Sequence, residues 1–309
     1  MTEQPLVSVG IPTYNRPAGL RRVLECITSQ TYRNLEIIVS DNASPDPDVE
    51  NIALELASRD ARIQYHKHNE NKGHEYNFKF VLRQAHGEYF MWAADDDEWE
   101  PNFIEVCMDA MMHHNVGSVM TSYKVVYRSK HKVESRDIPE LSDTLSIKEN
   151  YISYLLNIRP ALFYGIHKKE TVRYFLDFLP FDWYDVYFTL RQILENGFLT
   201  IPDQHLFLYG VDTHAYVYKP LRPSKNRLFE YGPIVSHALQ DLLLAKKISL
   251  LVKLQLSYFF IRRMTEIFVN YEKKVRPHQV RLASVVLWFF NLPQRARQSF
   301  TNLVKRLAS

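Results

Sequence analysis
The chain has 309 residues, more than the roughly 100–200 of a usual single domain. Its 46% apolar, 24% charged and 13% aromatic composition supports a packed core, which excludes global disorder, while nine glycines and two cysteines (Cys26, Cys107) exclude glycine-rich repeats, a disulfide scaffold and a cysteine zinc module. The net charge of +3 hides an asymmetry: residues 237–309 carry 13 Lys and Arg against three acidic residues, +10, which leaves −7 on the remainder.

Residues 6–11 (LVSVGI) form a short β-branched run closed by Pro12, the pattern of a buried strand. Asn15-Arg16-Pro17 then supplies a cap and a proline at the first helical position, ahead of Leu20, Val23, Leu24 and Ile27 at helical spacing. Residues 35–40 (LEIIVS) predict the next strand, ended by a polar loop at 41–47. A helix at 49–57, a strand at 63–66, a helix at 75–85 and a strand at 89–93 (YFMWA) follow. Strands alternating with helices imply βαβ units and a mostly parallel sheet. In such α/β sheets ligands sit beyond the carboxyl ends of the strands. The loops after Ile11, Ser40 and Ala93 all leave such ends, so they are expected to converge on one crevice.

The third of these loops holds Asp95-Asp96-Asp97. Adjacent carboxylates repel one another, and a cation or extensive hydrogen bonding relieves that repulsion. Without Cys or His beside them they form an oxygen-rich set suited to Mg²⁺ or Mn²⁺, which would offset charge on a diphosphate leaving group. The simpler role is to cap the helix that starts near Pro101.

VSVGIPTYNRP, LEIIVSDNASPD, NKGHEYNFKF and GEYFMWAADDDEWEP, in this order and spacing, resemble the family-2 glycosyltransferases with their GT-A fold, over about residues 5–210. The resemblance implies an α/β, Rossmann-like mixed sheet flanked by helices, and inverting, metal-dependent transfer of a sugar from a nucleotide-sugar. It implies that Pro12, Thr13, Tyr14 and Arg16 line the nucleotide pocket, that Asp41 reads the base, and that Asn71 adds a base or ribose contact. Aligned on Pro101, the metal-binding pair falls on Asp95 and Asp96, with Asp97 one step beyond and Asp96 the first choice. An aspartate such as Asp41 accepts an N–H from uracil or thymine, which favours a UDP- or dTDP-sugar, although it would also serve as an Asx cap of its own loop. Arg16 suits either a phosphate or a salt bridge.

Further along, residues 161–167 (ALFYGIH) predict a strand, and Phe181-Asp182-Trp183-Tyr184-Asp185 precedes a helix that ends at Gly197. Inverting transfer needs a carboxylate to take the acceptor proton. The family's base falls on Asp185 when counted back from Arg191 and Gly197, and on Asp182 when the Asp-Trp pair is matched; an aspartate here is also a natural helix cap. Strands are expected at 198–201 and 206–210, followed by His214, a candidate for the diphosphate or the metal shell.

Residues 1–219 therefore read as the catalytic domain, with a nucleotide-sugar half at 1–115 and an acceptor half at 116–219. Residues 220–309 read as a basic amphipathic helical region. No signal peptide is expected from MTEQPLVSVGIP, and no apolar run reaches the ~18–20 residues needed to span a bilayer. The expected place is the cytoplasmic face of the membrane, with the basic region on an anionic lipid surface or packed as a bundle or homo-oligomer interface. The acceptor is expected to be lipid-linked or oligosaccharide, as in O-antigen or capsule assembly. A sugar nucleotidyltransferase would want a Gly-rich basic loop where PTYNRP stands. A non-catalytic membrane or nucleic-acid adaptor explains the basic tail but not the triplet, so nucleic acid is not an expected partner.

Overall fold
In the computed structural model, which describes residues 4–177, 183–211 and 228–275, every residue of β1 (Val7–Thr13) and β2 (Leu35–Asp41) is buried. Such near-continuous apolar runs are what strands covered on both faces require. Between and after them come α1 (Pro17–Thr28), α2 (Pro47–Ala57), β3 (Ile63–Lys67), α3 (His74–Gln84) and β4 (Tyr89–Trp92). This is the alternation expected from the sequence. Pro17 opens α1, but the cap position is Arg16, whose side chain makes no capping bond. Asn15 lies one step earlier, in the left-handed region.

The chain continues through β5 (Glu98–Trp99), α4 (Phe103–His113), β6 (Ser118–Tyr127), β7 (Lys132–Arg136), α5 (Ile147–Leu156), β8 (Ile166–Lys168), α6 (Lys169–Val172), α7 (Tyr184–Glu195) and β9 (Phe198–Val211). The sheet order is β3-β2-β1-β4-β8-β6-β9-β5, with β7 paired to β6. Following the pair directions, β1, β2, β3, β4, β6 and β9 run one way and β5, β7 and β8 the other. The sheet is mixed and mostly parallel.

Two sequence expectations change here. Residues 161–167 are not one strand: Pro160–Tyr164 is a 3-10 turn, and only Ile166–Lys168 pairs. Proline opens the tight turn, and the apolar character of the run serves packing instead, since Phe163 stacks on Trp92 with centroids 4.5 Å apart. The strands expected at 198–201 and 206–210 are one strand, β9, whose register against β6 shifts around Ser122. Pro202 lacks an N–H for the ladder and falls in this irregularity.

Trp92 is the hub of the core beneath the site. Phe90, Phe175 and Phe188 meet it edge-on, and its indole N–H donates to the Phe78 carbonyl at 3.0 Å. The carboxyl ends of β1 and β2 are tied to α3 by buried Asn77. Its amide donates to the Thr13 and Ser40 carbonyls at 3.1 and 2.9 Å and accepts from the Ser40 hydroxyl.

Two compact units are present, Met1–Asp241 and Leu242–Ser309. In the first, Asp241 on α8 (Leu228–Leu244) accepts from the Tyr187 hydroxyl at 2.8 Å and pairs with Arg191 on α7 at 3.3 Å. The second holds the end of α8 and α9 (Leu250–Val275). Among the described residues no helix is long and apolar enough to cross a membrane.

Asn77→Ala leaves two strand-end carbonyls without this donor. The expected cost is on the order of 1–3 kcal/mol, read as a lower midpoint of urea unfolding. An unchanged midpoint would remove Asn77 as the tie between these strand ends.

Candidate active site
The three loops do converge. Thr13 and Asp41, the last residues of β1 and β2, stand opposite each other in register. Beyond β4 the Ala93 N–H still bonds the Gly10 carbonyl at 2.8 Å, which carries the chain forward to Asp95 beside Thr13. Pro12 lies beyond the reach of β4, whose register with β1 ends at Gly10, so its missing N–H costs no bond on that side.

Just beyond β1, Tyr14 is 44% exposed, an open aromatic face. Asp41 is buried; its Oδ1 accepts from the Ser44 N–H and its Oδ2 from the Tyr65 hydroxyl, each at 2.8 Å. The Asx cap foreseen for Asp41 is thus formed, and the carboxylate keeps further acceptor capacity. Burial, and then the bond to Asp41, hold the Tyr65 phenol above its usual range, so it stays a donor. Asn71 is drawn to the same loop: its Oδ1 accepts from the Asn42 side chain and the Gly73 N–H, both at 2.9 Å, while Asn42 accepts from the Lys72 N–H. Lys79 is turned to Glu75 at 2.8 Å on its own helix.

The acidic triplet is resolved into three different environments. Asp95 is buried, accepts from the Thr13 hydroxyl at 2.7 Å and pairs with Arg16 at 2.9 Å. Burial raises its pKa even though Arg16 pulls the other way. Asp96 is partly exposed and pairs with the same Arg16 nitrogen, also at 2.9 Å. Burial works against the Arg16 charge, and the two carboxylates more than offset that. Asp97 turns inward: its Oδ1 accepts from the Gly210 N–H at 2.7 Å, and its Oδ2 has no partner among the described residues. Burial, then the Asp96 charge, push its carboxyl well above the usual range.

The backbone of the triplet is clasped. A Cβ on Gly19 of α1 would lie 2.1 Å from the Asp95 carbonyl oxygen, and one on Gly210 of β9 would lie 1.8 Å from that of Asp96. Only hydrogen fits at either place. Arg128, at the end of β6, completes the clasp by donating to the Asp96 carbonyl at 2.9 Å and to Glu98 at 2.5 Å.

Asp185 sits in the first turn of α7, where its Oδ1 accepts from the Val186 N–H at 2.7 Å. Burial pushes its carboxyl up to about 6. Burial raises the Tyr209 phenol above its usual range, and the charges of Asp97, Asp96 and Asp185 add to this. Asp182 and His214 lie outside the described residues. Sequence reasoning missed Asn42, Tyr65, Asn77, Arg128 and Gly210. Asn42 and Asn77 fall inside motifs already singled out, whereas Tyr65, Arg128 and Gly210 become recognisable only through contacts across 24–113 residues.

Can these residues hold a divalent cation? Among the described residues no cluster of three or more His, Cys, Asp or Glu offers a ready cage. Two carboxylate oxygens, of Asp95 and Asp96, nevertheless converge on one cationic nitrogen of Arg16. The guanidinium stands in for a cation, and hard oxygen donors suit Mg²⁺ or Mn²⁺, so the pair fits.

The solved structure of Staphylococcus aureus TarS 1–349 in complex with UDP-GlcNAc superposes with a TM-score of 0.68 at 15% identity, covering 87% of this chain and 75% of that one. A mannosyltransferase of Pyrobaculum calidifontis in complex with GDP-Man and Mn²⁺ superposes at a TM-score of 0.52 and 17% identity, covering 97% and 84%. These show the GT-A fold. A Campylobacter jejuni GalNAc(5)-diNAcBac-PP-undecaprenol beta-1,3-glucosyltransferase is 39% identical over 95 residues, 30% of this chain and 30% of that protein. The model for Glycosyl transferase family 2 matches residues 8–212. With two-thirds of its length matched, and with the order of motifs and the crevice described above, the chain belongs to glycosyl transferase family 2.

Proposed function
We propose that this protein is an inverting glycosyltransferase that moves a sugar from a UDP-sugar to a hydroxyl of a lipid-linked oligosaccharide at the membrane face. The carrying observation is the convergence, at the carboxyl ends of the parallel strands, of a candidate nucleoside end (Tyr14, Asp41, Asn71) with an acidic pair (Asp95, Asp96). The complexes of the fold relatives with UDP-GlcNAc and with GDP-Man and Mn²⁺ support a nucleotide-sugar donor and a metal. The undecaprenol-linked substrate in the Campylobacter relative's name supports the acceptor class.

In this reading Tyr14 stacks on the base, Asp41 accepts its N–H, and Asn71 contacts base or ribose. Asp95 and Asp96 would hold Mn²⁺ or Mg²⁺, which offsets charge on the departing nucleoside diphosphate. Asp185 takes the acceptor hydroxyl's proton as its oxygen bonds to the anomeric carbon and the bond from that carbon to the diphosphate breaks. A carboxyl held near 6 is ionised at neutral pH and basic enough for this transfer. Asp182 is the alternative base. Calorimetry with UDP, dTDP and GDP, followed by nucleotide release from UDP-sugars with an undecaprenyl-linked acceptor, tests the reading. Tight GDP binding without UDP binding would overturn the donor.

Asp185→Asn is expected to keep UDP binding while losing about 10²–10⁴-fold in turnover, the usual worth of a positioned base. In the wild type, turnover should rise with pH through about 6. The stability sign is opposite. A raised carboxyl pKa favours the protonated fold, a contribution present below about 4 and lost as pH rises through about 6. The Asn variant should therefore melt several degrees higher than wild type at pH 7.5 and equal it near pH 4, at about 2–4 °C per kcal/mol. Turnover close to wild type would remove the assignment.

Asp96→Ala should abolish transfer with little change in melting temperature, because a partly exposed ion pair adds at most about 1 kcal/mol. Arg16→Ala should bind Mn²⁺ alone more tightly than wild type in calorimetry, since the resident cation is gone. Equal Mn²⁺ affinities would show that Arg16 and the metal do not share a seat.

A further inference from the structure
The second compact unit has leucines on both sides of its helices. On α9 the stripe Leu256, Phe260 and Met264 is buried, whereas Leu251, Leu254 and Tyr258 fall on the opposite side and are exposed. The exposed side continues around the corner from α8. Leu243, Leu244, Leu250 and Leu251 are 55%, 67%, 69% and 66% exposed, and Lys246 and Lys247 stand exposed among them. The corner is held in shape, since the Lys253 ammonium donates to the Leu243 carbonyl at the end of α8, at 2.8 Å. Core packing has no use for four outward leucines within nine residues, and a contiguous apolar patch of this kind marks an interaction surface.

Charge selects the occupant. Residues 242–265 contain five Lys and Arg and no acidic residue. Arg262 and Arg263 share the single negative charge of Glu266 at 3.1 and 3.4 Å, and Lys246 and Lys247 stand exposed beside the leucines, so the surface as a whole stays cationic. A second copy would bring the same positive charge onto itself. The chain's own segment 276–309 has six Lys and Arg and no Asp or Glu, so it offers the lysines no opposite charge. A nucleic acid would engage the lysines and leave the leucines in water. An anionic bilayer satisfies both, taking leucines below the headgroups and lysines among the phosphates.

We propose that the α8–α9 corner, centred on Leu243, Leu244, Lys246, Lys247, Leu250 and Leu251, inserts into an anionic phospholipid surface. The proposal deepens the reading of a lipid-linked acceptor, on which its purpose rests, by naming the surface that would bring the enzyme to that lipid. The test is co-sedimentation of the full chain with phosphatidylcholine vesicles, with and without phosphatidylglycerol, at low and high salt. Two double variants accompany it, Leu250→Asn with Leu251→Asn and Lys246→Glu with Lys247→Glu. Wild type should pellet with the phosphatidylglycerol vesicles and not with phosphatidylcholine alone, and each double variant should partition about tenfold more weakly or less. High salt should weaken the wild type and leave the residual binding of the lysine variant largely unchanged. Partitioning untouched by either variant overturns the proposal. So does a dimer that the leucine variant dissolves in the absence of vesicle binding, or a gel shift with an oligonucleotide that outcompetes the vesicles. The melting shift induced by UDP, measured on all three proteins, reports the donor reading separately: its absence from the wild type would sink that reading and leave the docking result standing.

Discussion
Three consecutive carboxylates at the end of a buried strand have to be neutralised, and the crevice is built around how that is done. One guanidinium, Arg16, serves Asp95 and Asp96 together, and a backbone N–H from a distant strand serves Asp97. Arg16 can do this only because Pro17 starts α1 directly after it, which aims the residue at the cap position across the loop. Gly210 can do it only because β9 runs unbroken from Phe198, past its irregularity near Pro202, to the triplet. The parallel sheet, the helix start and the long last strand are therefore parts of one electrostatic arrangement.

The same arrangement separates two kinds of acid within one motif. Asp96 is partly exposed and held only by the ion pair to Arg16, while Asp97 is consumed in joining the acidic loop to β9. A free count of aspartates in the sequence treats these residues as equals. Their burial makes them chemically distinct, one a ligand candidate and the other a structural link.

Much of the first half was legible because its signals are local. Val7–Thr13 and Leu35–Asp41 are apolar runs bounded by proline and polar loops, and the motif order carried the family and its fold. The acceptor half was harder. Residues 161–167 look like a strand by composition, but Pro160 and the pull of Trp92 on Phe163 make a turn of most of it. β6 went unread because SVMTSYKVVY, besides its hairpin with β7, takes its partners β8 and β9 from segments far along the chain. In the candidate site, Asp41 and Asp95–Asp97 were visible as residue types at strand ends, and Asn71 only through the family resemblance. Tyr65 and Arg128 were not, since an ordinary tyrosine in a strand and an ordinary arginine in a turn acquire meaning only from what lies across the fold.

The hydrogen-only contacts at Gly19 and Gly210 have a consequence for how this protein can vary. A loop gripped from both flanks at two successive carbonyls has no slack, so the stretch from Ala94 to Glu98 cannot gain or lose a residue without unseating α1 or β9. The irregular stretch of β9 after Ile201 carries no such grip, whereas the turn between β6 and β7 is held through Arg128. Length changes among descendants of this chain should therefore gather in that stretch of β9, and the acidic loop should keep its count.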